Sequence, residues 1–351
     1  MTSAGIKSQI RAVDLFCGVG GLTHGLVKGG VNVVAGIDVD EACRFPYEAN
    51  NKTKFIKQDI SKLKSTNLAN LFGDAKFTLL AGCAPCQPFS TYSRGARKVG
   101  DSDWELVATF GRLVRLSKPH FVTMENVPQV EHHKVFRDFL ANLNGYHVAW
   151  ETVECEEIGV PQTRKRLVLM ASKLGPHGLS LAKSQKKAFT VRDAIAKLPP
   201  LAAGESDDRD PLHIACRLSD LNLRRIKASR PGGTWRDWDV SLRAKCHRKA
   251  TGDTYPSVYG RMEWDGPAPT ITTQCFGYGN GRFGHPEQHR AITLREAAML
   301  QTFPAKYKFL KPGDKIKFSA LGRLIGNAVP VKLGEAIARA FIQHAQYYAA
   351  S

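Results

Sequence analysis

Ile10-Arg11-Ala12-Val13-Asp14-Leu15-Phe16 is a β-rich run, Cys17-Gly18-Val19-Gly20-Gly21 a tight glycine turn, and Leu22 to Lys28 a short helical stretch stopped by Gly29-Gly30. A second β-rich run, Val31 to Ile37, ends in Asp38. Strand, glycine turn, helix and strand with a terminal acid predict the opening of an open α/β sheet that binds a nucleotide. The glycines allow a ligand close to the backbone, and a carboxylate there can accept the ribose hydroxyl protons. The dinucleotide fingerprint is broken, because Thr23 stands where the third glycine belongs, and no lysine follows in P-loop spacing. Two readings stay open, a plain turn or a nucleoside-bearing cofactor; Asp59, placed after the apolar Phe55-Ile56, favours the second.

A reactive group is offered by Gly82-Cys83-Ala84-Pro85-Cys86-Gln87-Pro88-Phe89-Ser90, which follows the buried-strand pattern Phe77 to Ala81. Pro85 and Pro88 fix φ on both sides of Cys86, so a rigid loop presents its thiol. Ser90 to Gly100 is polar, basic and glycine-containing, as suits a segment closing on an anionic substrate. Cys83-x-x-Cys86 also admits three other readings: half a zinc site, a redox couple, or small apolar packing. A structural zinc needs four ligands, and no second Cys-x-x-Cys occurs.

The chain has 351 residues, enough for a sizeable core and two domains. Its 50 Lys and Arg against 32 Asp and Glu give a net charge of +18, which calls for a polyanionic partner. No apolar run is long enough for a bilayer, Met1 to Ile10 lacks a signal-peptide core, and the eight scattered cysteines read as free thiols, so a cytoplasmic protein is expected.

Further along, residues 102 to 117 carry apolar residues at helical spacing, and Phe121 to Met124 reads as a buried strand ending in Glu125-Asn126. Ligands of open α/β sheets bind outside the carboxyl ends of the strands, so Asp38, Cys86 and Glu125 could converge, although Glu125 could also cap a neighbouring helix. Val135 to Leu143 predicts a helix, and His147 to Val153 and Leu167 to Met170 predict strands. Arg164 and Arg166, two apart on an extended segment, would share a face and suit phosphate or carbonyl oxygens, or form a solvated charge cluster. After Met170 the strand–helix alternation is lost. Residues 173 to 286 interleave basic and aromatic residues, as in Arg230 to Trp238 and Lys245 to Lys249, which fits a surface gripping phosphates and touching bases, or a loop-rich insertion. His213-x-x-Cys216 with Cys246-His247 could supply four metal ligands, at irregular spacing, and no metal is expected. Pro267 to Thr273 reads as a β segment, Arg295 to Leu300 as a helix, Ile325 to Pro330 as a turn, and Val331 to His344 as an amphipathic helix.

Taken in order, Asp14-x-Phe16-x-Gly18-x-Gly20-Gly21, Pro85-Cys86-Gln87, Glu125-Asn126-Val127, Gln162-x-Arg164-x-Arg166, Arg295-Glu296 with Gln301-x-Phe303-Pro304, and Gly326-Asn327-x-Val329 resemble the cytosine-C5 DNA methyltransferase family. The resemblance spans most of the chain. It implies a doubly wound, Rossmann-like α/β sheet with a smaller inserted target-recognition domain. The catalytic domain would comprise residues 1–172 plus 318–351, and the target-recognition domain residues 173–317. It also implies S-adenosylmethionine as cofactor, with Phe16 on its adenine, Asp38 at its ribose, Asp59 at its amino group, and Gly18, Val19, Gly20, Gly21, Ile60 and Asn327 completing the pocket. Double-stranded DNA is the implied substrate, a monomer the expected state, and a restriction endonuclease a possible counterpart. An RNA cytosine methyltransferase and a DNA-binding protein with decayed catalytic machinery remain as alternatives.

Carbon 5 of cytosine is too poor a nucleophile to attack a methyl sulfonium, so a thiolate must first add at C6. By the resemblance Cys86 is that thiolate, a protonated Glu125 supplies the proton or hydrogen bond at N3, Arg166 holds the O2 edge, Arg164 reaches phosphate or supports it, and Gln87 with Ser90 steadies the loop. None of these groups reaches a base inside a duplex, so the cytosine must be flipped out.

Overall fold

Alternating β-rich and helical segments at the start of the chain build one seven-stranded sheet. A computed structural model describes residues 9–85, 104–182, 189–249, 252 and 255–350. The strands are β1 (Ile10–Leu15), β2 (Asn32–Asp38), β3 (Lys54–Lys57), β4 (Phe77–Gly82), β5 (Phe121–Asn126), β6 (His147–Glu154) and, after the short β7 (Gln162–Thr163), β8 (Lys165–Ser172). Their order is β3-β2-β1-β4-β5-β8-β6, with the first five parallel and β8 antiparallel to both neighbours. Strand order reverses at β1, between β2 and β4, which opens a crevice at the carboxyl ends.

Helices cover both faces, because successive residues of a strand point to opposite sides. Val13, Leu15, Leu80, Val122 and Leu169 pack against α3 (Ser65–Phe72), α4 (Glu105–Ser117) and α5 (Lys134–Ala141). The other face meets α1 (Gly21–Gly29), α2 (Arg44–Asn51) and the C-terminal helix: Thr23 of α1 reaches Asp14, the Tyr47 ring of α2 lies against Gly36, and Phe121 stacks on Phe341.

Contacts divide the chain into two compact units. The first is Met1–Ile158, Lys165–Gln185 and Val329–Ser351; the second is Gly159–Arg164 and Lys186–Ala328. In the first unit α1 lies so close to the C-terminal helix that a Cβ on Gly25 would come within 3 Å of the backbone at Val331, Gly334 and Glu335. Alanine ordinarily gains about 1 kcal/mol over glycine in a helix. Here the clash outweighs that gain, and Gly25→Ala is expected to lower stability by about 2 kcal/mol, measured by urea unfolding.

The second unit holds α6 (Val191–Ile195), β9 (Ser206–Asp207), β10 (Asp210–Ile214), α7 (Asp220–Ala228), β11 (Ala268–Pro269), α8 (Leu294–Leu300) and α9 (Phe318–Asn327). The expected turn at Ile325 to Pro330 is corrected: Ile325, Gly326 and Asn327 complete α9, and the helix stops as the chain nears Pro330. Gly322 and Gly326 let α9 lie on Phe276 and on the backbone of Thr272, which is why α9 goes with this unit. The predicted β segment at Pro267 to Thr273 shrinks to β11, paired with β7. The first unit continues past β8 to α10 (Val331–Ala350), which lengthens the predicted C-terminal helix.

Candidate active site

The glycine turn is held in a shape that needs its residues. Gly18 and Gly20 have φ of 51° and 89°, and Phe16 also lies in the left-handed region at 56°. Asp38 fastens the turn to the end of β2: its Oδ2 accepts from Gly18 N at 2.9 Å, and its Oδ1 accepts from Asp40 N at 2.9 Å. A Cβ added at Gly18 would meet nothing within 4 Å, so open space lies over this backbone. Val19 is buried beneath the turn and Gly21 begins α1, while Val39, 66% exposed, stands beside Asp38. At the end of β3, Asp59 Oδ1 accepts from Ser61 N and Oγ, at 2.9 and 2.7 Å, and these bonds hold its carboxyl below the usual range; Ile60 is buried. Asn327 is exposed at the last turn of α9, in the second unit.

Under the turn, Asp14 is 1% exposed, and its Oδ2 accepts from Thr23 Oγ1 at 2.7 Å, which in turn lies 3.0 Å from Tyr47 Oη. Its other oxygen is buried without a hydrogen-bond partner among the described residues. Burial pushes this carboxyl up to about 7, against the hydrogen bond from Thr23 and with the Asp38 charge adding to the rise. An acid raised in the folded state binds its proton longer there than in the unfolded chain. Stability is therefore lost as pH rises from about 3.8 to about 7, on the order of 4 kcal/mol across that window. The ligand-free Asp14→Asn variant is expected to lose less melting temperature between pH 5.5 and 8 than the natural chain, by differential scanning calorimetry.

Register assembles the second cluster. Gly82 is level with Met124 across β4 and β5, so Cys83 comes beside Glu125. Glu125 faces Val168 across β5 and β8, which places Arg166, two residues earlier, on the same face. Glu125 is 2% exposed; Arg166 Nε lies 2.8 Å from its Oε1 as an ion pair without hydrogen-bond alignment, and Cys83 Sγ donates to its Oε2 at 2.6 Å. Asn126 Nδ2 donates to Ala84 O at 3.2 Å and ties the start of the Cys86 loop to β5. Cys86 and Gln87 lie outside the described residues. The reading of Glu125 as a helix cap gives way to this ion pair. Cys83 was singled out in the sequence only for metal, redox or packing roles. Parallel pairing of β4 with β5 is the signal that would have placed it at Glu125.

Arg164 and Arg166 do not form a parallel pair, which corrects the shared-face expectation. Arg164 is buried in the second unit and donates to Ile271 O at 3.2 Å, whereas Arg166 belongs to β8. Several other motif residues also serve the second unit as internal ties. Gln162 Nε2 donates to Gln301 Oε1 at 3.0 Å, Gln301 Nε2 donates to Ile325 O at 3.0 Å, Arg295 bonds Asp210 and Tyr307 O, and Glu296 pairs with Arg290. In the basic and aromatic stretches the rings are drawn inward while the cations stay outside: Trp235 and Trp238 are buried, whereas Arg230, Arg236, Lys245, Arg248 and Lys249 are exposed. Both ring nitrogens of His213 are taken by Thr293 Oγ1 and Pro199 O, and His247 stacks on Trp235. Among the described residues no three His, Cys, Asp or Glu side chains are grouped to hold a metal ion.

A carboxyl, a guanidinium and a thiol meet at the carboxyl edge of the sheet, and the glycine turn follows β1 beside Asp38. Comparison with known proteins gives the class. The description C-5 cytosine-specific DNA methylase matches residues 10–343. The Type II methylase M.HgiDII of Herpetosiphon aurantiacus is 51% identical over 333 residues, 93% of each chain. The Type II methyltransferase M1.HphI of Haemophilus parahaemolyticus is 32% identical, over 95% of this chain and 87% of its own. In fold, a prophage-encoded DNA modification methyltransferase of E. coli superposes with a TM-score of 0.74 at 22% identity, over 96% of this chain and 99% of its own. The chain belongs to the C-5 cytosine-specific DNA methylase family, and the activity is that of a DNA (cytosine-5)-methyltransferase. Membership implies a methyl donor and a DNA substrate. No helix among the described residues is long and apolar enough to cross a membrane.

Proposed function

We propose that this protein transfers a methyl group from S-adenosylmethionine to C5 of a cytosine flipped out of a specific duplex DNA sequence, as the modification partner of a restriction endonuclease. The observation that carries this reading is the buried Glu125, paired with Arg166 and lying beside the loop that leads to Cys86. The open backbone at Gly18 and the acid at Asp38 fit a nucleoside-bearing donor, which supplies an electrophilic methyl on a sulfonium. Phe16, Val19, Gly20, Gly21, Asp59, Ile60 and Asn327 are assigned to the same donor.

Cys86, as thiolate, adds to C6 and moves electron density to C5. Glu125 holds the N3 and amino edge and carries the proton that lets charge flow toward N3. Arg166 keeps that carboxyl in place and takes the O2 edge, while Gln87 steadies the loop. Arg164, tied to the Ile271 carbonyl, acts as a support for the segment before β8 and not as a phosphate ligand. After transfer a base removes the C5 proton and the thiolate leaves. The second unit, residues 186–328 with 159–164, is the proposed target-recognition domain, and the +18 net charge supports a phosphate-rich substrate.

The test is radiolabelled methyl transfer to duplex DNA and to tRNA, followed by bisulfite sequencing of the labelled DNA. Label in duplex DNA at one recurring sequence is expected. Label in tRNA alone, or in neither, would overturn the proposal.

A further inference from the structure

We propose that Cys83 is a positioning residue: its thiol occupies Glu125 Oε2 while the pocket waits and yields that oxygen to the donor edge of an incoming cytosine. The inference rests on the proposed function and deepens it. Nothing in the six motifs assigns Cys83 a part, and it is the thiol of the Cys83-x-x-Cys86 pair that the covalent chemistry leaves unused.

A buried carboxyl oxygen needs a partner. Here the two oxygens are held differently, Oε1 by an ion pair and Oε2 by a hydrogen bond. The Arg166 guanidinium, 2.8 Å from Oε1, is a permanent charge on β8. Cys83 Sγ, 2.6 Å from Oε2, is a neutral thiol and a weak donor. Cys83 is also partly exposed, whereas Glu125 is buried. A cytosine presents its amino group as a donor on the edge that meets Glu125. Exchange of thiol for amino group then swaps donor for donor at Oε2, and the carboxyl never turns away from Arg166. A weak donor suits this task, since it satisfies the oxygen without competing strongly for it. Parallel register fixes the geometry, because Cys83 follows Gly82, which is level with Met124, the residue before Glu125.

Steady-state methylation of duplex DNA by the natural chain, Cys83→Ser and Cys83→Ala decides the matter, each repeated with Glu125→Gln, and with donor binding measured by calorimetry as a control for folding. Cys83→Ala is expected to lower kcat about tenfold, because a carboxyl without the thiol turns to another partner and must be brought back before each transfer, with KM for the donor unchanged. Cys83→Ser, which restores a donor, should remain within about threefold of the natural chain. In the Glu125→Gln background both Cys83 substitutions should have little further effect, because the partner carboxylate is gone. A packing role predicts the reverse order, with alanine active and serine impaired; that order, equal activities, or full additivity with Glu125→Gln would each overturn the proposal. Should the alanine variant fail to bind donor, the serine variant and its double mutant carry the same comparison. A natural chain that methylates no DNA would instead defeat the proposed function itself.

Discussion

Replacing Cys86 by alanine is expected to abolish methyl transfer, lowering kcat by at least about 10⁴-fold, while leaving the affinity for the methyl donor within about twofold. The size follows from the chemistry. An aromatic carbon with no covalent activation does not attack a sulfonium methyl at a useful rate, and no second group assigned to the pocket replaces a thiolate at C6. Cys83 is not a substitute, because its sulfur is taken by the Glu125 carboxyl. The donor is assigned to the turn at Gly18 and the acid at Asp38, so its binding is expected to survive. Equilibrium binding of the donor and single-turnover methylation separate the two effects. Undiminished methylation by Cys86→Ala would refute the nucleophile.

Glu125→Gln is expected to lower kcat by about 10² to 10³-fold, since it keeps the shape of the side chain but removes the exchangeable proton. The same change breaks a partly buried ion pair. Arg166, 15% exposed in its side chain, loses its counter-charge, and stability should fall by about 3 kcal/mol. The two losses are separable: melting temperature reports the ion pair, whereas the kcat of the folded fraction reports the proton. A drop in kcat of less than about threefold would show that Glu125 holds the base without proton chemistry.

The sheet was readable in the sequence because its strands are short apolar runs that end in acids, and its turns are spelled by glycine. Asp38 ends β2, Asp59 follows β3, and Glu125 is the last residue but one of β5. Less readable was anything set by pairing between distant strands. Cys83 reaches Glu125 only through the parallel register of β4 on β5, 42 residues apart in sequence. Arg164 and Arg166 read as twins by spacing, yet a break between β7 and β8 sends one to the Ile271 carbonyl and leaves the other at Glu125. Ile325-Gly326-Asn327 looked like a turn because glycine and asparagine stop helices in isolation; in the folded unit Gly326 continues α9, since only glycine fits against Thr272. The aromatics after residue 230 read as surface together with their basic neighbours, which do stay exposed, but a unit with little regular structure needs a core, and Trp235, Trp238 and Tyr278 build it.

Covalent bonding of one sulfur to the pyrimidine ring is the claim on which the rest depends. Incubating the protein and S-adenosylmethionine with duplex oligonucleotides that carry 5-fluorocytosine at the methylated position tests it directly, because fluorine at C5 blocks the final elimination. The expected result is a denaturation-resistant, one-to-one complex joined through Cys86 and absent from Cys86→Ala. Methylation of the ordinary oligonucleotide with no trapped complex on the fluorinated one would contradict it.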